Sequence, residues 1–192
     1  MPKTGGIILA GGKSSRMGSD KAFKKIEGIE MLGRVIENLD PLVDDLIIST
    51  NHDSHRVFKR TLIYDDLPEM GPLSGINSAL INTVYEYNIV LSCDTPYVHG
   101  AILQTLLNAS LNAKSIITVA SCKGKLQPLC GVYRKSAQPQ IENLLINGVR
   151  KMHKVLSHLQ AKTVEFPESE FNYFLNINKE DDIPVNTKDY ES

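Results

Sequence analysis

The sequence lacks several features that mark whole classes of protein. Its three cysteines, Cys93, Cys122 and Cys130, are odd in number and form no C-x-x-C pair, which argues against a disulfide framework or a zinc site. No stretch approaches the roughly 20 apolar residues that a membrane-spanning helix needs. The first residues show no signal-peptide pattern. We therefore expect a cytoplasmic protein that does not enter a membrane.

An excess of charge of either sign is also missing. The chain has 21 Lys and Arg against 22 Asp and Glu, a formal net charge of −1. So balanced a protein has no global attraction for nucleic acid or for an anionic membrane, and we expect neither as a partner. Any anion-binding site must therefore come from local clustering of cations.

The apolar residues follow an alternating pattern of strands and helices. Short apolar runs at 7–10, 46–49, 89–92 and 116–120 predict strands buried on both faces, and amphipathic stretches at 31–39, 74–87, 101–111 and 137–146 predict helices. This order favours an α/β fold with three layers, a mostly parallel sheet with helices on both faces. The length of 192 residues fits a single domain over 1–192. A nucleotide-binding N-terminal half and an acceptor-binding C-terminal half are compatible with this domain, although composition does not separate them.

A loop rich in glycine and cations follows the first predicted strand. Gly11 and Gly12 lack side chains, so their backbone N–H groups can approach an anion. Ligands of open α/β sheets bind beyond the carboxyl ends of strands, where this loop lies. The loop is neither a Walker A motif nor a Rossmann fingerprint. It is a predicted phosphate site because thirteen residues contain a single acid, Asp20, and five cations: Lys13, Arg16, Lys21, Lys24 and Lys25.

Two further segments carry acidic residues toward the same edge of the sheet. In "VLSCDTPYV" (90–98), Asp94 ends an apolar strand and could ligate Mg²⁺, which needs only one or two protein carboxylates beside phosphates and water. In "YDDLPEMGPLSG" (64–75), Asp65 precedes a Gly-Pro turn and a predicted helix start with free N–H groups. A carboxylate there suits guanine, whose N1–H and 2-amino group are donors.

Several segments of the chain resemble those of a known family. "LAGGKSSRMGSDKA" (9–22) is similar to the signature L-A-G-G-x-S-x-R-M-G-x-D-K of nucleotidyltransferases with a GT-A-like, Rossmann-related fold. Within that superfamily the chain most resembles the MobA family of molybdenum cofactor guanylyltransferases. "CDTPY", "GPLSG" and "FLNINKEDD" (174–182) resemble the C-D-x-P, G-P-L-x-G and N-x-N segments of that family, in the same order.

The resemblance implies a set of site residues. It makes Asp94 the ligand of Mg²⁺ and Arg16, Lys21 and Asp94 the catalytic residues. It places the acceptor beside Arg150, Asn176 and Asn178. The implied nucleotide-binding residues are Leu9, Ala10, Gly11, Gly12, Lys21, Asp65, Gly71, Pro72, Leu73, Gly75 and Asp94.

The same resemblance implies the reaction. GTP and the molybdopterin cofactor would give the guanine dinucleotide cofactor and pyrophosphate. The attacking phosphate monoester is already mostly dianionic at neutral pH, since its second pKa is about 6, so no general base is needed. This agrees with the histidines of this chain, which match no motif and have structural or incidental roles. Proteins that supply the pterin or accept the finished cofactor are compatible partners.

The chain departs from the sequence pattern of the family at two places. Lys179 and Glu180 stand where the family often has Thr-Pro, and Gln127 stands where the family often has His before Pro, so Gln127 receives no role.

Two alternative functions stay open. One is a cytidylyltransferase that acts on a related pterin or a small phosphorylated alcohol. The other is a catalytically silent nucleotide- or cofactor-binding chaperone, against which the intact set of Arg16, Lys21 and Asp94 argues.

Overall fold

The apolar runs of the sequence form the strands of one central sheet. We describe the protein from a computed structural model over residues 2–11, 20–65, 70–178 and 182. Gly12 and Arg16, both predicted site residues, lie outside this part of the chain, as does nearly all of the polar C-terminal tail. The strands of the sheet and of a small separate hairpin are β1 (Thr4–Leu9), β2 (Lys25–Ile26), β3 (Ile29–Glu30), β4 (Asp45–Ser49), β5 (Thr61–Ile63), β6 (Tyr87–Ser92), β7 (Ile117–Cys122), β8 (Lys125–Arg134) and β9 (Lys162–Phe166).

The sheet in the described residues has seven strands in the order β5-β4-β1-β6-β8-β7-β9. Strand β1 lies between β4 and β6 and runs parallel to both, with Ile7 opposite Ile47 on one side and Val90 on the other. Strand β8 is antiparallel to β6 and β7, whereas β5 and β9 run parallel to their neighbours. The predicted mostly parallel sheet is therefore confirmed.

Helices cover both faces of the sheet. They are α1 (Met31–Leu39), α2 (Pro72–Asn82), α3 (Gly100–Leu111), α4 (Gln138–Ile146) and α5 (Met152–His158). Helices α1 and α3 pack on one face, around Ile8 and Leu91. Helices α2, α4 and α5 pack on the other, around Ile7 and Val90. Neighbouring residues of one strand thus enter different clusters because side chains alternate across a strand. This gives the predicted three layers.

The predicted helix at 74–87 is too long. Helix α2 ends at Asn82, and Tyr87 already belongs to β6. Buried polar groups form the turn between them: the Thr83 hydroxyl donates to Asn88 Oδ1 at 2.8 Å, and Asn88 Nδ2 donates to Tyr85 O at 2.9 Å. Such bonds satisfy polar atoms in a buried turn, and the apolar periodicity of the segment gave no sign of them. Three strands of the sheet, β5, β8 and β9, also lay outside the predicted apolar runs.

In the described part of the chain, no helix combines the length and the apolar character that crossing a membrane would require.

Candidate active site

The ends of three parallel strands meet at one edge of the sheet. The N–H of Ala10 donates to Ser49 O at 2.9 Å, which ties the end of β1 to β4. The N–H of Cys93 donates to Leu9 O at 3.0 Å, which ties β6 to the other side of β1. Leu9 and Ala10 are buried, and Gly11 is exposed at the edge. This edge lies at the carboxyl ends of β1, β4 and β6, where such sheets bind ligands.

Lys21 opens a short 3-10 helix, Lys21–Phe23, just beyond the glycine loop. The carboxylate of Asp20 caps this helix by accepting a hydrogen bond from the N–H of Ala22 at 3.0 Å. The Lys21 ammonium donates to Asn178 Oδ1. The neighbouring Lys24 ammonium donates to Asn178 O at 3.1 Å. Two cations of the loop are therefore joined to the predicted N-x-N segment.

Asp94 lies at the end of β6, next to the segment that contains Asn178. Its carbonyl accepts a hydrogen bond from the N–H of Ile177 at 2.8 Å, so the N-x-N segment lies directly against it. Ile177 is buried, whereas Asn176 and Asn178 are exposed on either side of it. The two amides therefore leave the chain on the solvent side, although residues 175–178 form no regular strand. Three distant segments thus bring Lys21, Asp94 and Asn178 together.

The carboxylate of Asp94 suits a cation. Its Oδ1 atom is buried and has no hydrogen-bond partner in the described part of the chain. A buried carboxylate oxygen without a donor is costly unless a cation or a ligand compensates it. Mg²⁺ is a hard cation that takes few protein oxygens and keeps room for phosphates and water. A single strand-end carboxylate with one orphaned oxygen fits that pattern.

Asp65 lies beyond β5 and is held by two polar side chains. The Ser74 hydroxyl donates to Asp65 Oδ1, and the N–H of Asp65 donates to Asn51 Oδ1 at 3.0 Å. Ser74 is buried in the first turn of α2, and Asn51 follows β4. The Asp65 carboxylate is therefore held in a defined orientation at the start of α2.

The predicted Gly-Pro turn divides into positions with different tasks. Gly71 caps α2 with φ 77° and is exposed, a conformation that favours glycine, and Pro72 follows at the first helical position. Leu73 is buried in the core. Gly75 is buried too, and a Cβ there would lie 2.8 Å from Ser49 Oγ. Gly71 and Pro72 are thus open to a ligand, while Leu73 and Gly75 bring the helix close to the sheet.

A family model described as "MobA-like NTP transferase domain" matches residues 6–163, most of the chain. The chain belongs to this family. It is a nucleotidyltransferase, as the motifs predicted.

Three curated relatives of this MobA-like protein are named as probable or established molybdenum cofactor guanylyltransferases. A "Probable molybdenum cofactor guanylyltransferase" of Clostridium perfringens is 36% identical over 190 residues, 95% of each chain. A relative with the same name from Carboxydothermus hydrogenoformans is 33% identical and covers 89% of this chain and 88% of its own. A "Molybdenum cofactor guanylyltransferase" of Pseudomonas paraeruginosa is 33% identical, with 86% and 85% covered.

Solved structures share the fold of this MobA-like protein. Molybdopterin-guanine dinucleotide biosynthesis protein A from Archaeoglobus fulgidus superimposes with a TM-score of 0.74 at 23% identity, over 93% of this chain and 94% of that one. A 4-diphosphocytidyl-2C-methyl-D-erythritol synthase from Anaerococcus prevotii gives 0.73 at 13% identity, over 94% and 92%. At these identities the likeness establishes the fold.

Arg150 stands apart from the other predicted residues of this MobA-like protein. It is exposed in the turn between α4 and α5, two helices that pack on the same face of the sheet as α2. The acceptor role of Arg150 therefore stays a prediction without a contact to Lys21, Asp94 or Asn178 among those described.

Sequence reasoning missed four polar residues that support the site. Asn51 and Ser74 hold Asp65, and Asp20 caps the helix of Lys21. His55, placed among the structural or incidental histidines, is buried against Asp20, with His55 Nε2 and Asp20 Oδ2 2.8 Å apart. Asp20 could have been found from its place before Lys21 at a helix start, whereas no local signal identifies Asn51 or His55.

Cys93 is a packed thiol beside the site. It is partly buried and packs against the cluster on the α1 side of the sheet. Desolvation and the Asp94 carboxylate raise the pKa of the Cys93 thiol to about 12. A thiol that stays protonated is a poor nucleophile, so Cys93 contributes packing beside the site.

Proposed function

We propose that this protein transfers GMP from GTP to the molybdopterin cofactor, forming the guanine dinucleotide cofactor and pyrophosphate. The observation that carries the proposal is the meeting of Lys21, Asp94 and Asn178 at the carboxyl edge of the sheet. A cation and a carboxylate with an orphaned oxygen lie there beside an amide, a set that suits a metal-bound triphosphate. The names of the curated relatives support guanine as the base and the pterin as the acceptor.

The chemistry follows from positioning and charge. The terminal phosphate of the pterin attacks the α-phosphorus of GTP, the bond from that phosphorus to the bridging oxygen breaks, and pyrophosphate leaves. Because a phosphate monoester is largely dianionic at neutral pH, no side chain has to remove a proton. The Lys21 ammonium would contact the triphosphate. Asn178, which accepts a hydrogen bond from this ammonium, would either keep that bond or release it when the triphosphate binds. Catalysis then consists of alignment and preorganised charge. Arg16 is expected to assist Lys21.

Asp94 would hold the Mg²⁺. When bound, the ion would neutralise phosphate charge and polarise the reacting phosphate. The role of Asp94 itself is to place one buried carboxylate oxygen at the end of β6. The turn after it is fixed locally, since the Thr95 hydroxyl donates to Ser92 O at 2.9 Å. The carboxylate is therefore positioned by the sheet before any ligand arrives.

Asp65 would read the base. Its carboxylate can accept hydrogen bonds from N1–H and the 2-amino group of guanine, and cytosine has no matching pair of donors. Ser74 and Asn51 hold Asp65 in place, and the exposed start of α2 at Gly71 offers backbone N–H groups nearby. A fixed carboxylate at this position favours a purine with two adjacent donors.

A direct assay tests the proposal. The protein is incubated with Mg²⁺, the molybdopterin cofactor and one radiolabelled nucleoside triphosphate at a time, and both dinucleotide and pyrophosphate are measured. We expect both products with GTP. Equal or greater turnover with CTP would establish the cytidylyltransferase alternative. Tight GTP binding without either product would establish the silent chaperone.

We further propose that the reaction takes place in the cytoplasm. The cysteines Cys93, Cys122 and Cys130 are free thiols, as a reducing compartment allows. Proteins that supply the pterin and accept the dinucleotide are its expected partners there.

A further inference from the structure

His55 has a place in the molecule that the proposed reaction does not yet explain. It lies in the 3-10 helix Asp53–Phe58, between β4 and β5, and its side chain is 0% exposed. Its Nε2 atom lies 2.8 Å from Asp20 Oδ2. Because a carboxylate oxygen accepts hydrogen bonds, the neutral ring carries its proton on Nε2. The Nδ1 atom is buried without a partner in the described part of the chain.

Asp20 connects this histidine to the loop of Lys21. One carboxylate oxygen of Asp20 meets His55, and the other accepts the N–H of Ala22 at 3.0 Å. Both oxygens are therefore engaged, and the carboxylate cannot turn without breaking a bond. The first turn of the 3-10 helix is thus attached to the connection between β4 and β5.

Aromatic packing also holds the helix Lys21–Phe23 against the connection between β4 and β5. The ring of Phe23 lies 5.6 Å from the ring of His55 and 5.6 Å from that of Phe58, with the two phenyl rings stacked at 28°. Residues 20–23 and 53–58 therefore form one packed unit. Lys21 projects from this unit to Asn178, at the far side of the site.

An apolar side chain would fill the space beside Phe23 and Phe58 at lower cost. Burying an imidazole leaves Nδ1 without a partner, and such a group destabilises the folded state. The histidine is therefore explained by the Nε2–H that it directs at Asp20, a donor that an apolar side chain lacks. A lysine side chain is long and flexible, so the position of its ammonium depends on how firmly its backbone is held.

We propose that His55 is a positioning residue for Lys21 in the nucleotidyl transfer proposed above, acting through Asp20. Neutral His55 fixes the carboxylate, the carboxylate fixes the start of the helix Lys21–Phe23, and the helix sets where the Lys21 ammonium meets the triphosphate. Small displacements of a contacting group cost up to about 10²-fold in rate, so this support matters although His55 never touches substrate. The inference rests on the proposed function.

The first test compares matched variants of the whole protein. His55→Leu removes the donor, and His55→Gln keeps an N–H at a similar reach. Phe58→Leu is the matched control, since it loosens the same aromatic packing without touching Asp20. We expect His55→Leu to lower kcat/KM for GTP roughly tenfold, His55→Gln to restore most of this loss, and Phe58→Leu to change it about twofold at most. Circular dichroism checks the fold of each variant.

A double-mutant cycle separates positioning from general loosening. In a Lys21→Ala background, His55→Leu should lower kcat/KM by less than about twofold, because the two residues act through one contact. A full, additive loss in that background would overturn the proposal. So would a Phe58→Leu loss as large as that of His55→Leu, or no rescue by His55→Gln.

A second readout needs no substrate. Limiting acetylation followed by mass spectrometry measures the reactivity of Lys21 relative to that of Lys25, which is exposed at the start of the nearby strand β2. We expect His55→Leu to raise the labelling of Lys21 several-fold and leave that of Lys25 unchanged. Unchanged Lys21 labelling would refute the positioning role even if GMP transfer is found. A changed labelling without any GMP transfer by the wild type would instead refute the proposed function alone.

Discussion

The two corners of the site meet at one sheet edge and are built differently. The phosphate corner, formed by Lys21, Asp94 and Asn178, depends on a contact between residues 157 positions apart in sequence. The base corner, formed by Asp65, Ser74 and Gly71, depends on contacts between residues 9 and 14 positions apart. The base corner is a strand, a turn and a helix start, whereas the phosphate corner needs the distant N-x-N segment to be docked.

This difference implies that the corners can be damaged separately. A change near Asp65 alters a local arrangement and should alter the choice of base. A change near Lys21 alters a joint between remote segments and should alter the rate with every nucleotide.

The largest effect is expected for the metal-binding carboxylate. Asp94→Asn keeps the size of the side chain and removes its charge, so kcat/KM should fall on the order of 10³-fold, since metal stabilisation supplies several kcal/mol. Initial rates across a Mg²⁺ titration measure the loss, and circular dichroism verifies the fold. Unchanged activity at limiting Mg²⁺ would remove Asp94 from the metal site. The ratio of rates with GTP and with other nucleotides should change little.

The next largest effect is expected for the cation of the phosphate corner. Lys21→Ala should lower kcat/KM by about 10²-fold, the usual cost of one donor to developing charge. Lys25→Ala is the control, because the Lys25 side chain is exposed and its Nζ atom lies 4.0 Å from Glu30 Oε1. It should cost about threefold at most and lose its effect in high salt. Equal losses for both would reduce the loop to a nonspecific anion site.

A smaller effect, on selectivity, is expected in the base corner. Ser74→Ala removes the hydroxyl that donates to the Asp65 carboxylate, and Asp65→Asn removes the charge of that carboxylate. The preference for GTP over ITP, which lacks the 2-amino group, should narrow about threefold in Ser74→Ala and roughly tenfold in Asp65→Asn. Competition assays with both nucleotides measure this ratio. If Lys21→Ala narrows the ratio equally, the two corners are not separate.

The smallest effect concerns stability and pH. Burial lowers the pKa of His55 from its ordinary value of 6.5, although Asp20 opposes the shift. The unfolded chain therefore binds more protons than the folded one below about pH 6.5, and stability falls as the pH drops through that value. Between about pH 7.5 and 5.5, Tm should fall by on the order of 2 °C more in the wild type than in His55→Gln.

The control for this pH effect is an exposed histidine. His158 lies in the last turn of α5 and is exposed, so His158→Gln controls for the exchange of a histidine for glutamine away from Asp20. Differential scanning calorimetry of the three proteins gives the comparison. Parallel Tm curves for the wild type and His55→Gln would contradict a lowered pKa for His55.

Much of the fold could be predicted because its signals are local. Helix α1 begins and ends where its apolar periodicity does, at Met31 and Leu39. The strand that ends before Asp94 was recognisable as an apolar run followed by Pro96. Strands β5 and β9 escaped because they form the edges of the sheet. In the edge strand β9, exposed residues alternate with residues that are partly or fully buried, so the strand forms no continuous apolar run.

The site could be predicted only as separate pieces. The resemblance to the family named Lys21, Asp65, Asp94 and Asn178, and the structure brings Lys21 and Asn178 into contact. The sequence could not indicate that Ser74 and Asn51 hold Asp65. Their hydrogen bonds depend on where α2 and the end of β4 lie relative to β5.

The sequence by itself determined the alternation of strands and helices, the glycine loop after β1 and the carboxylate at the end of β6, because each follows from side chains a few positions apart. Only the tertiary structure decided that β8 lies antiparallel between β6 and β7, that Asn178 reaches Lys21 and that His55 is buried against Asp20. These contacts join segments whose local sequences carry no information about one another. Burial of shared apolar surface brings such segments together, and the polar contacts then form where the packed chain leaves donors facing acceptors.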